Sequence, residues 1–169
     1  MNVTYREYEM ELDKEIDKWV EKEYSINSAR VNMYAMFNTP LSLEVIWYKN
    51  NPQNMGNVLD KIIVFKEMDE TIAYAILNYS LLDDGYYLNI NPVCVNPRLM
   101  RKGYGKKALQ MIIKDGNKMI DGNIDFITAN LSITNRESIW LFITNGFLKH
   151  ELNEDKTFVQ VKLDVNKEC

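Results

Sequence analysis

The chain has 169 residues, 46% apolar and 26% charged, a composition that fits one ordinary globular domain with a sizeable core. A net charge of −4 and a pI near 5.1 argue against a general nucleic-acid-binding surface and favour a cationic partner slightly. The two cysteines, Cys94 and Cys169, and the single histidine, His150, form neither a CxxC pair nor a cluster, so neither a metal site nor a disulfide scaffold is expected.

Val3 to Tyr8 alternates and predicts a first strand. Glu11 to Tyr24 places Leu12, Ile16, Trp19 and Val20 at helical spacing, which predicts an amphipathic helix. Tyr24 to Thr39 is mixed and predicts no single element. Pro40 opens a second helix through Trp47, which Asn50-Asn51-Pro52 ends, and Gln53 to Val58 is a polar loop. The chain starts with no leader-like segment and holds no apolar run of membrane-spanning length, so a cytoplasmic protein without membrane contact is expected.

Strands dominate the middle. Lys61 to Phe65 and Thr71 to Tyr79 flank a turn at Glu67 to Glu70, and Asp83-Asp84-Gly85 is a hairpin signal. Tyr86 to Val95 is the next strand, and Pro92 inside it marks an edge or a bulge, because proline cannot donate to a ladder. Asp121-Gly122-Asn123 and the strand Asp125 to Leu131 come later. Thr134 to Glu137 matches a capping box with Thr134 as the cap, and Gly146 suits the left-handed end of that short helix. Phe147 to Glu151 and Thr157 to Leu163 predict a closing hairpin around Asn153 to Lys156. The tail from Asn166 is expected to fray.

The organising stretch is Val93 to Ile113. The strand stops at Asn96-Pro97, a loop carries Arg98, Arg101 and Lys102, and Gly103-Tyr104-Gly105 leads into a helix. Ala108, Leu109, Ile112, Met119 and Ile120 mark that helix's apolar face. A strand, a glycine loop and a helix start in succession aim free backbone N–H groups and the positive helix end at one spot. Phosphate or pyrophosphate is the natural guest. The spacing is neither Gly-x-x-x-x-Gly-Lys nor Gly-x-Gly-x-x-Gly. From the loop alone, an ordinary turn with two structural glycines remains an equal alternative.

Val95-Asn96-Pro97, three residues, then Arg101-Lys102-Gly103-Tyr104-Gly105-Lys106 resembles the acetyl-CoA motif of GNAT-type N-acetyltransferases. Asn135 to Phe147 resembles the family's second block, in the family's order and separation. The resemblance covers about residues 60 to 163. It implies an α/β fold with a mostly antiparallel sheet of about seven strands, a splayed parallel pair and flanking helices. Residues 1–59 would form the acceptor side and 60–163 the acetyl-CoA core of one domain. The implied reaction moves acetyl from acetyl-CoA directly to a primary amine in a ternary complex. The acceptor would be a small molecule or a peptide amine, and a homodimer is compatible with the family.

The resemblance also assigns roles. Arg101 to Lys106, thus Arg101, Lys102, Gly103, Tyr104, Gly105 and Lys106, would hold pyrophosphate, chiefly through backbone N–H groups. Val93, Cys94 and Val95 would bind the pantetheine arm, and Asn135, Ser138 and Phe142 would lie along it. Two positions depart from the family pattern. Met100 stands where Arg or Gln is usual, and Phe142 stands where a tyrosine often serves as the acid. Phe142 is therefore expected to pack against Phe147. No general base is legible: Asn89, Asn91 and Asn130 are well placed but cannot act as bases. Asp84, Asp125 and Glu67 look like turn or strand-end residues, His150 sits in the penultimate strand, and Tyr86 and Tyr87 read as strand aromatics. Trp19, Tyr24, Tyr34, Phe37 and Trp47 are aromatic candidates for core or acceptor pocket. The alternative function is a catalytically weak CoA-binding or sensor module.

Overall fold

A computed structural model describes residues 2–9, 11–16, 19 and 59–166. Among the described residues seven strands form one sheet in the order β1-β2-β3-β4-β5-β7-β6. They are β1 (Val3–Glu7), β2 (Leu59–Glu67), β3 (Glu70–Leu82), β4 (Gly85–Val95), β5 (Phe126–Ser132), β6 (Leu148–Leu152) and β7 (Phe158–Asp164). All neighbours are antiparallel except β4 and β5. That parallel pair needs a crossover, and helix α1 (Tyr104–Ile120) supplies it; α2 (Arg136–Thr144) links β5 to the β6–β7 hairpin. The predicted helices beyond residue 19, the loop 53–58, the aromatics Tyr24, Tyr34, Phe37 and Trp47, and Cys169 lie outside the described residues.

The sheet is covered on both sides at its centre, which is why β3 reads as an unbroken apolar run from Ile72 to Leu77. Odd-numbered residues Ala73, Ala75 and Leu77 join α1's Ala108, Leu109, Ile112, Met119 and Ile120 in the main core. Tyr74 and Ile76 point the other way, into a smaller cluster with Tyr8, Ile16, Trp19, Ile62, Val64 and Cys94. Each fully buried Leu or Ile contributes about 1.5–3 kcal/mol of apolar transfer, so the periodic face of α1 alone holds the crossover against the sheet. Arg6 anchors β1 to the next turn through two 2.8 Å bonds to Asp13, whose side chain also accepts from the Glu9 N–H.

The start of α2 differs from the sequence expectation. Its cap is Asn135, whose Oδ1 accepts from the Ser138 N–H at 3.2 Å. Thr134 instead pairs its hydroxyl with Ser132, and Glu137 forms an ion pair with Arg101 at 3.6 Å, so no capping box forms. Asn135, one position later, plays the cap's part for the amide three residues on, that of Ser138 in place of Glu137. The C-terminal end follows expectation: Gly146 adopts φ 95°, its N–H bonds Ile143 O, and the Phe147 N–H bonds Phe142 O at 3.1 Å.

Candidate functional site

β4 and β5 pair only from Tyr87↔Phe126 to Ile90↔Ala129, yet both strands run on, to Val95 and Ser132. Beyond Ile90 they part. On its other edge β4 slips against β3, from Leu77↔Ile90 to Ala75↔Val93, so two residues, Asn91 and Pro92, oppose one. Of the two readings of Pro92, an edge or a bulge, the strand shows a bulge, and it coincides with the place where the parallel ladder ends. Val93 and Val95 resume on the α1 side of the sheet; Cys94 is 7% exposed and faces the opposite cluster. Any contact Cys94 makes in the opening is therefore through its backbone.

β4 runs out at Asn96 and a 3-10 turn covers Pro97–Leu99. Arg101 takes φ 64° and Gly103 φ 84°, two left-handed residues that curl the chain around the start of α1. Gly103 is the cap of α1 and brings no side chain to cap its amides, and the first turn holds no acidic residue. The first helical bond is Lys107 N–H to Gly103 O at 3.1 Å, so the amides of Tyr104, Gly105 and Lys106 precede the ladder. α2, by contrast, satisfies its own start through Asn135. Arg101, Lys102 and Lys106 are exposed around this end, adding positive charge to the dipole.

The two glycines do different work. Gly103 needs the left-handed region, and a Cβ there would meet nothing within 4 Å. Gly105 has ordinary helical geometry, so of the two glycines only Gly103 supplies positive φ. A Cβ on it would touch Val95 Cγ2 at 3.4 Å and Leu141 Cδ2 at 3.6 Å. Gly105 thus keeps α1 close to β4 and α2, at the mouth of the opening.

Phe142 is 3% exposed and meets Phe147 edge-to-face at 4.9 Å, the contact expected at a helix end of this type. Ser138 is half-buried and, with Asn135, sits on the first turn of α2. Both contribute to the cap, Asn135 through Oδ1 and Ser138 through its N–H. On the sheet face away from α1, Thr128 donates to Asn89 Oδ1 at 3.0 Å and Asn89 Nδ2 reaches Asn78 Oδ1 at 3.4 Å. Thr128 is 3% exposed, and nothing in the sequence sets it apart, because threonine is an ordinary strand residue.

The titratable candidates are occupied elsewhere. Asp125 accepts from the Tyr86 N–H and from Asn166, both at 2.8 Å. Asp84 accepts from Tyr87 OH, which itself accepts from Lys162 Nζ at 2.8 Å. Glu67 pairs with Lys107 of α1 at 3.6 Å, and His150 is exposed on edge strand β6. Tyr86 stacks on Tyr79 at 5.7 Å. Burial pushes the Tyr79 phenol up, with Tyr86 and Asp125 adding to the effect. The Tyr5 phenol is raised by burial and then by Asp115. A cleft of about 510 Å³ bordered by Tyr86, Lys114, Asn117 and Asn166 lies at the far end of β4 from the glycine loop, so it is not part of this arrangement.

No protein-family model and no curated protein matches the sequence. Solved structures do match over nearly the whole chain. A spermidine N-acetyltransferase from Vibrio cholerae in complex with CoA and spermine has a TM-score of 0.72 at 13% identity, covering 98% of this chain and 96% of its own. An N-acetyltransferase from Campylobacter jejuni in complex with acetyl-CoA has 0.60 at 15%, covering 96% and 99%. A ribosomal-protein-alanine N-acetyltransferase from Escherichia coli has 0.58 at 14%, covering 99% and 97%. The fold is that of the GNAT-type N-acetyltransferases. No helix among the described residues is long and apolar enough to cross a membrane.

Proposed function

We propose that the protein binds acetyl-CoA and transfers its acetyl group to a primary amine. The carrying observation is the uncapped start of α1, placed by two left-handed residues against Val95, at the end of the β4 segment that no longer pairs with β5. The residues fit the donor. Three amides and three exposed cations suit a pyrophosphate, and the strand edge that β4 presents beyond Ile90, where β5 has left it, suits a narrow pantetheine arm.

Acetyl-CoA supplies an activated acetyl thioester. The chain's own part is to hold and to orient. The amides of Tyr104, Gly105 and Lys106 neutralise phosphate charge, with Arg101, Lys102 and Lys106 contributing screened attraction. Val93, Cys94 and Val95 offer backbone groups along the strand edge that β5 leaves, one N–H of which polarises the thioester carbonyl. Asn135 Nδ2 and the Ser138 hydroxyl line the other wall. Phe142 has no proton to give and works as packing beneath that wall. The splayed segments 91–95 and 130–132 hold no carboxylate or histidine; on this reading water takes the proton from the amine, and water or a nearby phenol protonates the leaving thiolate. On the same reading the acetyl group passes directly from the thioester to the amine in a ternary complex, with the Cys94 side chain turned into the opposite cluster.

The neighbouring enzymes are named for acceptors as different as spermidine and a ribosomal-protein alanine, so the fold does not choose the amine. Thiol release from acetyl-CoA across polyamines, aminoglycosides, amino acids and N-terminal peptides tests the proposal. Turnover with any of them is the expected result. Tight CoA binding without turnover on the whole panel would favour a CoA-binding or sensor module, the reading that the buried Phe142 supports.

A further inference from the structure

Asn96 is 4% exposed at the hinge where β4 becomes the glycine loop, and every polar group it has is used. Its backbone N–H donates to Ile72 O at 2.8 Å and its C=O accepts from the Leu99 N–H at 2.8 Å. Its Nδ2 donates to Thr71 O at 3.1 Å, a fully buried bond, and its Oδ1 accepts from the Arg98 N–H at 3.1 Å. Two of these bonds fix the loop's own turn, and two tie it to the start of β3. The β2–β3 hairpin makes two further ties: Glu70 pairs with Arg98 of the loop, and Glu67, its side chain 11% exposed, pairs with Lys107 in the first turn of α1 at 3.6 Å.

We infer that Asn96, backed by Glu70 and Glu67 of the β2–β3 hairpin, is the positioning residue of the cofactor loop. It sets where the left-handed residues Arg101 and Gly103 present the helix amides, without touching the cofactor. This rests on the proposed acetyl-CoA reading. The carboxamide is needed because only a side chain with both a donor and an acceptor can join Thr71 O to the Arg98 N–H. Alanine leaves the buried Thr71 carbonyl without its partner and the loop's first turn without its brace. Aspartate keeps the acceptor but turns an oxygen toward that carbonyl.

The test compares two ligands. CoA engages the loop through its pyrophosphate; pantetheine carries the same arm and no phosphate. Calorimetry with CoA and ligand-observed NMR with pantetheine would be run on wild type, Asn96→Ala and Asn96→Asp. The expected result is a loss of about tenfold in CoA affinity (about 1.4 kcal/mol) with pantetheine binding changed less than about twofold. Unchanged CoA affinity in a folded variant overturns the inference. So does an equal loss for both ligands, which would make Asn96 a general scaffold residue. If neither Asn96 variant folds, the exposed pair carries the test. Glu70→Gln and Arg98→Gln should each weaken CoA about twofold and the double variant no further, as expected of a surface pair. Wild-type affinity in all three overturns it. Wild-type protein that binds no CoA would instead remove the proposed function itself.

Discussion

Replacing Gly103 with alanine isolates one physical term. Its φ of 84° and the open space where a methyl group would stand mean that Ala would meet no atom and suffer only the left-handed backbone. That conformation costs an L-residue roughly 1–2 kcal/mol. The cost has two places to go. If the loop keeps its shape in the free variant, the whole sum appears as lost stability. If the loop relaxes, stability is spared and the sum reappears on binding, as a loss of about five- to thirtyfold in CoA affinity. The two losses together should therefore reach about 1–2 kcal/mol, whatever the split. Urea denaturation gives one and isothermal titration with CoA the other. Gly103→Asn, which tolerates this region better than alanine, should recover part of the total. A Gly103→Ala protein with wild-type stability and wild-type affinity would refute the reasoning, because the left-handed geometry would then be irrelevant to fold and ligand alike.

Gly105→Val should act by crowding, since its branches extend past a Cβ already in contact with Val95 and Leu141. We expect about 1–3 kcal/mol of destabilisation and at least a tenfold loss of CoA affinity, about 1.4 kcal/mol, whereas Gly105→Ala should fold normally; a valine variant with normal melting temperature and CoA affinity contradicts this. Asp13→Ala leaves the Arg6 guanidinium without its two bonds at a position where Asp13 is 1% exposed, and should cost about 3 kcal/mol by urea denaturation. A loss below about 1 kcal/mol would show the pair to be a surface contact. Tyr79 favours its neutral form in the folded state, so it contributes stability that is full below the ordinary phenol pKa of 10.0 and disappears as pH rises through the folded value. Ultraviolet titration should show a late-ionising phenol that Tyr79→Phe removes; an unchanged titration curve would count against it.

The strand–loop–helix unit was legible because three local signals agree there: alternation to Val95, the Asn-Pro stop, and the 3.6-residue apolar stripe of α1. Pro92 announced an edge or a bulge for a reason confined to one residue, the missing N–H. The Phe142–Phe147 contact followed from Gly146, because a left-handed helix end dictates which residues meet. What the sequence hid depends on choices between near-equivalent neighbours. Thr134 and Asn135 are both good caps, and a one-residue difference in where the backbone turns decided for Asn135. Gly103 and Gly105 look alike in the chain, yet only the first has positive φ. The bracing of the loop by Asn96 combines a local cue, an Asn-Pro turn, with long-range partners at Ile72 and Thr71 that no spacing rule names.

The most direct measurement is titration of CoA into the isotope-labelled protein, followed by amide nuclear magnetic resonance. Saturable shifts concentrated on the amides of Gly103, Tyr104, Gly105 and Lys106 are expected, with a second group at Val93 to Val95. Absence of binding at millimolar CoA, or shifts confined to other parts of the sheet, would contradict it.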